Sequence, residues 1–192
     1  MKLSECDIPG CYEIQLPAHA DARGSFVKTI VSSRFAENGL ETEFVETFHT
    51  ISGENVLRGM HLQLPPADHA KLVYCVTGAV IDICLDVRRG SPAFGRHMVI
   101  ELSAKRNNAI YLARGVAHGF YVRQAPAIMM YHVTSEHEPR LDAGILWNSF
   151  GAEWPTNSPL LSQRDAALTL FPDFISPFHF SCPDKKVRVL SK

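Results

Sequence analysis

An all-β fold, a sandwich or a barrel, is what this sequence predicts, and three observations predict it. Short runs of β-branched, aromatic and alternating residues recur at close intervals between residues 10 and 134. Turns carrying Gly, Pro, Asn and Asp separate them. Only two stretches read as helix, and both are short.

Residues 10–16 make the first strand. The polar residues 19–26 form a turn with Arg23 and Gly24 at its tip, and a second strand covers 26–31. Residues 32–38 read as a short helix, capped by Ser32 or Ser33 and stopped by Gly39. Phe44, Thr47 and Phe48 favour extended structure over 44–51. Ser52, Gly53, Glu54 and Asn55 then turn the chain into its central stretch. Beyond that stretch, Thr77 and Gly78 read as a tight turn. Over 80–87, Ile81, Ile83, Leu85 and Val87 alternate with Asp82, Cys84 and Asp86. A loop over 88–95 leads to a strand over 97–102 and a polar turn over 105–108. Short strands at 109–112 and 119–122 flank Arg114 and His118. Gln124 to Pro126 reads as a turn, and 128–134 as the last strand, with Met129, Tyr131 and Val133 on one face. Residues 135–192 are rich in Pro, Ser and Asp, with aromatic anchors at Trp147, Phe150, Trp154, Phe171, Phe174, Phe178 and Phe180. One short helix starts near Ser162, and residues 185–192 read as a loosely held tail.

The central stretch, VLRGMHLQLPPADHAKLVYCV over 56–76, sets an arginine, a histidine and a lysine among apolar residues. Pro65 and Pro66 interrupt it, since proline offers no ladder donor. Alternation puts His61 and Gln63 on one face, and Lys71, Val73 and Cys75 on one face of the next strand. A cation facing inward is costly unless its charge is needed. Two such strands lining one cavity would supply it with a titratable base and a fixed positive charge.

The totals bound the rest. A chain of 192 residues with 46% hydrophobic and 20% charged residues fits one domain, spanning 1–192, with a sizeable core. A net charge of -1 argues against a general nucleic-acid or membrane-surface binder. No apolar run reaches membrane-spanning length, and the first residues lack a signal peptide's apolar centre. Five scattered cysteines suit a reducing compartment, so reduced thiols and a cytoplasmic protein are expected.

Eight pieces in order carry a resemblance. They are DARGSF (21–26), VLRGMHLQLPP (56–66), KLVYCVTG (71–78), DICLDVRRGSPAFG (82–95), ARGVAHGF (113–120), the strand holding Tyr131, GILWN (144–148) and LLSQRDA (160–166). Through them the chain resembles the dTDP-4-dehydrorhamnose 3,5-epimerase family over roughly residues 21–171. The resemblance implies a double-stranded β-helix (cupin, jelly-roll), a homodimer, no metal and no cofactor. It also implies a nucleotide-linked 4-keto sugar as substrate, whose C3 and C5 protons are acidic because each flanks the ketone. By the same resemblance His61 matches the general base and Asp165 the carboxylate that orients it. Lys71 matches the cation beside the enolate oxygen, and Tyr131 the proton donor on the opposite face. Arg58, suited to gripping phosphate as a fork, and His118 match groups around the substrate. Arg23, Phe26, Gln63, Lys28 and Glu46 stand at the remaining substrate-binding positions, with Arg23 reaching the partner subunit's site.

The chain departs from the family's pattern where nucleotide and sugar are handled. Lys28 stands where the family usually carries glutamate. Glu46 and Phe48 stand near its usual Gln and Asn. Glu136 and His137 occupy the region of its second tyrosine, and Ala113 the place of a proline. The proton-transfer set is intact while the nucleotide contacts are not, which points to a related but different substrate: a GDP or CDP sugar, a heptose, or epimerisation at one centre. Taken alone, the same residues read more plainly. His61 would be a satisfied barrel histidine, Lys71 a strand-end charge, Tyr131 a half-buried strand residue, Asp165 a helix cap, and Arg58 an ion-pair partner of Asp82 or Asp86. A metal-binding cupin would want HxH, but Gln63 follows His61 and prolines fill the place of the acid. Two other functions stay open on this scaffold: a nucleotide-sugar 3,4-ketoisomerase and a non-catalytic sugar-nucleotide binding module.

Overall fold

The computed structural model describes residues 1–181. Eleven strands and two short helices follow in chain order: β1 (Lys2–Glu5), β2 (Tyr12–Gln15), β3 (Ala18–Asp21), β4 (Gly24–Val27), α1 (Ser32–Glu37), β5 (Glu46–Ser52), β6 (Leu57–Gln63), β7 (Lys71–Asp86), β8 (His97–Ser103), β9 (Asn108–Leu112), β10 (Val116–Val133), β11 (Asp142–Gly144) and α2 (Gln163–Ala166). A 3-10 turn at Phe171–Asp173 follows. All named strand pairs are antiparallel.

The two long strands organise the rest. The first half of β7 lies between β9 and the second half of β10, which β5 flanks on its other side. The second half of β7 lies between β8 and the first half of β10, which pairs onward with β6, and β6 with β11. Two layers of the jelly roll thus share two continuous strands. Thr77–Gly78 and Gln124–Pro126 do not end strands, as the sequence reading expected. They fall where the β7–β10 register shifts. Gly78 has φ +80°, and a Cβ there would lie 2.3 Å from the Gln124 carbonyl oxygen, so only glycine lets the strands approach this closely. Local punctuation marks a bend here, and the long-range ladder carries the strands through it.

Other boundaries moved for similar reasons. The chain over 19–26, read as a turn, is a hairpin of β3 and β4 with Asp21 Oδ1 accepting the Arg23 N–H at 2.8 Å. The second strand therefore ends at Val27, not at residue 31. β1 and β11 gave no run long enough to stand out. The short helix α2 begins where expected, and Ser162 Oγ caps it by accepting the Asp165 N–H at 3.0 Å. Residues 185–192, read as a tail, lie outside the described residues.

Apolar packing fills three regions. Val73, Cys75, Val80, Ile110, Phe120, Met129 and Tyr131 share the interior. Leu72 and Tyr74, on the opposite face of β7, pack with Ile14, Phe35 and Tyr111. Ile83, Leu85 and Val87 pack with Met60, Ile145 and Phe178 beneath the C-terminal segment. The polar face of 80–87 is buried too: Asp82 and Asp86 are both 0% exposed. Asp86 is held by Arg88 at 2.7 Å and by Ser91 at 2.6 Å, while Asp82 meets His118. Cys6, Cys11, Cys75 and Cys84 are free thiols. No described helix is long and apolar enough to cross a membrane.

Candidate active site

A cavity of about 350 Å³, large enough for a small ligand, opens against β5, β6, the start of β7, β10, β11 and α2. His61, Lys71, Tyr131, Arg58, His118, Gln63 and Glu46 all line it, and Asp165 stands directly behind His61.

The cap at Ser162 turns α2 so that Asp165 faces β6. Asp165 Oδ1 accepts from His61 Nε2–H at 2.8 Å, and Oδ2 accepts the Gly59 N–H at 3.1 Å. With Nε2 committed as the donor, His61 keeps its lone pair on Nδ1, so that nitrogen is the available base. Burial pushes the Asp165 carboxyl up, but the hydrogen bond and charge of His61, the Gly59 N–H and Arg164 outweigh it. The carboxyl is held below its usual range.

Lys71 opens β7 on the same face as Val73 and Cys75, as alternation required. It is 9% exposed. Burial pushes its ammonium down to about 8, with Asp142 and Asp82 holding it up through space. Tyr131, on β10, sits opposite Phe48 of β5 in the ladder. The two rings stack at 4.7 Å with 12° between planes. The Tyr131 hydroxyl is 3.5 Å from Thr50 Oγ1, and burial drives the phenol far above its usual 10.

His118 pairs with His61 across the β6–β10 ladder. Its Nδ1–H donates to Asp82 Oδ2 at 3.2 Å, leaving a lone pair on Nε2. Burial pulls its pKa down against Asp82, so the ring favours the neutral form. Arg58 is not the partner of Asp82 or Asp86. Its Nε donates to Ser52 Oγ at 3.0 Å and an amino group to the Ile51 carbonyl oxygen at 3.3 Å. No described carboxylate pairs with it, which keeps the guanidinium available to an anion.

Four expected substrate contacts are placed otherwise. Gln63 borders the cavity, but its amide is committed: it donates to the carbonyl oxygens of Ala67 and Glu136 and accepts the Glu138 N–H at 2.8 Å. It fastens the loop after β10 and has little left for a ligand. Arg23, Phe26 and Lys28 lie on or beside the β3–β4 hairpin, which forms its own two-stranded sheet. They do not line this cavity. Arg23 pairs with Asp21 at 2.6 Å and Phe26 is 60% exposed. Glu46 does line the cavity and accepts the His137 N–H at 2.6 Å.

Sequence reading missed Thr50, His69, Asp142 and Arg164, which complete the polar part of the lining. Arg164 pairs with Asp142 at 2.7 Å, joining α2 to β11. The one usable signal was position: His69 is two residues before Lys71, and Thr50 two after Phe48. Among the described residues, no three His, Cys, Asp or Glu side chains are grouped to share a metal ion.

A jelly roll whose interior cavity is bordered by His61, Lys71 and Tyr131 defines the class, a cupin-type isomerase. The family model described as dTDP-4-dehydrorhamnose 3,5-epimerase matches residues 5–173. The chain is 36% identical over 168 residues to the dTDP-4-dehydrorhamnose 3,5-epimerase of Shigella flexneri, covering 86% of this chain and 93% of that one. It is 35% identical over 168 residues to the dTDP-4-dehydrorhamnose 3-epimerase of Streptomyces niveus, covering 86% and 81%. The crystal structure of the Legionella pneumophila dTDP-6-deoxy-D-glucose-3,5-epimerase in complex with dTDP-4-keto-L-rhamnose superposes with a TM-score of 0.88 at 29% identity, covering 94% of this chain and 99% of that one. The chain belongs to the dTDP-4-dehydrorhamnose 3,5-epimerase family.

Proposed function

We propose that this protein epimerises a nucleotide-linked 4-keto sugar at C3, C5 or both, in deoxysugar or surface-polysaccharide biosynthesis. One observation carries the reading: the His61–Asp165 pair and Tyr131 approach a single cavity from different strands, with the buried Lys71 ammonium bordering the same space.

The chemistry balances with these groups alone. His61 Nδ1 takes the proton next to the ketone and becomes an imidazolium steadied by Asp165. The C–H electrons move onto the C4 oxygen as an enolate, which the Lys71 ammonium stabilises. Tyr131 returns a proton to the opposite face of the carbon, and its phenolate recovers one as His61 gives its own up. No redox cofactor or metal enters this sequence of steps. Arg58 is suited to the diphosphate, and His118 Nε2 to a sugar hydroxyl. Relatives of both the 3,5- and the 3-epimerase kind stand at similar identity, so the number of centres inverted is left to measurement. Glu46, Phe48 and His137 at the cavity wall support a substrate other than the thymidine compound. Residues 1–192 act in this reading as a single domain of a cytoplasmic homodimer. Arg23, Phe26 and Lys28 then serve the partner's cavity.

The test is proton NMR in heavy water with the dTDP, GDP and CDP 4-keto-6-deoxyhexoses and a 4-keto heptose. Solvent deuterium entering C3 or C5 is expected, with inversion. A shifted carbonyl would mean a ketoisomerase, and no exchange with any of them would overturn the reading.

A further inference from the structure

His69 and Lys71 leave the chain two residues apart, and both line the cavity. Each lacks what the other can supply. Ser135 Oγ donates its single hydrogen to the Ala67 carbonyl oxygen at 2.6 Å. The contact between that oxygen and His69 Nδ1, at 3.1 Å, therefore has the ring as donor. The hydrogen is on Nδ1, and Nε2 carries a lone pair. That nitrogen is buried and meets no hydrogen-bond partner among the described residues. A buried acceptor left unmet is rare in folded proteins and calls for a reason.

Lys71 shows the complementary lack. Its ammonium makes no hydrogen bond among the described residues and borders the cavity, and the carboxylates of Asp142 and Asp82 act on it only through space. Of the charges felt by His69, that of Lys71 is the strongest, ahead of Arg114, His118 and His137. A donor open to the cavity and an unmet acceptor thus border the same space, two residues apart in the chain.

We propose that His69 is a positioning residue for Lys71: a rotation of the lysine side chain brings its ammonium to His69 Nε2 while the cavity is empty, and it turns from there to the ketone oxygen when substrate enters. The second half of that statement rests on the epimerase reading, and the first does not. The groups facing the pair are fixed. Arg164 on α2, Arg114, His118 on β10 and His137 oppose added positive charge, while Asp142 on β11 and Asp82 on β7 favour it. Burial and these cations keep His69 neutral, with a pKa of about 3, so its lone pair persists through the working range of pH. A lysine or arginine at position 69 would repel the ammonium. A neutral imidazole with a fixed tautomer gives it a resting place.

The experiment needs no substrate. The full chain is labelled on lysine and histidine with nitrogen-15 and carbon-13. Lys71 and His69 are then followed by NMR through pH 6 to 10, in the wild type and in H69Q, H69L and K71M. Three results are expected. The His69 Nε2 signal moves with the Lys71 transition and is flat in K71M. H69L lowers the Lys71 midpoint by about half a pH unit or more, a roughly threefold loss of proton affinity. H69Q, which still offers an acceptor oxygen, stays close to the wild type. A His69 signal indifferent to the Lys71 transition overturns the pairing even if H69L fails to fold, and so does a Lys71 midpoint that H69L leaves in place. For the turn to the ketone, H69L should lower kcat at least fivefold with KM little changed, and H69Q should restore it. An unchanged kcat overturns that half. A wild type that exchanges no substrate proton, with the titrations intact, defeats the epimerase reading and leaves the pair standing.

Discussion

His61 Nε2 and Asp165 Oδ1 lie 2.8 Å apart, although 104 residues of chain separate them. The carboxylate fixes the tautomer, and so decides which ring nitrogen faces the cavity. In D165N an amide replaces it and can hold the ring in the wrong tautomer. A fall in kcat of about 10²–10⁴ is expected, with KM changed far less. Steady-state kinetics on the accepted nucleotide sugar would check this, and a kcat within a few-fold of wild type would contradict it.

The same pair carries an acid-stability signature. The folded-state pKa of Asp165 lies below its ordinary 3.8. Its ionised form therefore stabilises the fold fully above that ordinary value, and the gain is lost as pH falls through the depressed one. Urea unfolding from pH 6 down to pH 2.5 should show a steeper loss in wild type than in D165N. Parallel curves would argue that the carboxylate contributes nothing to acid stability.

Lys71 predicts the reverse trade. Its folded-state pKa of about 8 lies under the ordinary 10.5, so the unfolded chain binds more protons between those values. Stability contributed by this group should rise as pH climbs from about 8 to 10.5, and below that range the buried charge is a standing penalty. K71M removes the penalty and the proposed enolate partner together. A Tm higher by about 2–4 °C at pH 7 is expected for each kcal/mol relieved, alongside a loss of kcat of about 10²–10³. Calorimetry beside the exchange assay decides. A destabilised K71M would mean the ammonium is better solvated than its burial implies.

Much of this site was legible because its chemistry is tied to strand periodicity. Alternation put Lys71 with Val73 and Cys75 on one face, and that face is the interior. The histidine–aspartate pair followed from resemblance, since nothing local to Asp165 points across 104 residues to His61. The misreadings have a common cause. Thr77–Gly78 and Gln124–Pro126 carry turn residues, but long-range pairing across β7 and β10 continues both strands through them. Gln63 looked free for a ligand because the loop that occupies its amide, around Ser135 to Glu138, lies more than 70 residues away. Arg58 looked like a partner for Asp82 or Asp86 because their actual partners, His118 and Arg88 with Ser91, are visible only once the layers close.

Arg58 should govern affinity more than turnover. Ser52 and Ile51 hold its guanidinium by Nε and one amino group, leaving the remaining donors to the cavity. Charge-assisted hydrogen bonds to phosphate are each worth about 1.5–3 kcal/mol. R58M should therefore raise the Kd of the preferred nucleoside diphosphate about 10- to 100-fold by calorimetric titration, with kcat at saturation changed only a few-fold. An unchanged Kd would remove Arg58 from the diphosphate.

In the proposed reaction, Tyr131 separates proton removal from inversion. Its phenol is held flat by Phe48 at 4.7 Å, with Thr50 Oγ1 3.5 Å from the hydroxyl, and burial keeps it protonated far beyond neutral pH. In Y131F the His61–Asp165 pair and Lys71 remain, so enolate formation continues. What is lost is the donor on the opposite face, and the proton goes back from the side it left. The expected result in heavy water is deuterium washing into the substrate with its configuration retained, while the inverted product forms about 10²–10⁴ times more slowly. H61A should stop both. Equal loss of exchange and inversion in Y131F would mean that the phenol is needed to form the enolate at all, and the two-sided assignment would have to be redrawn with Tyr131 beside Lys71 at the oxygen.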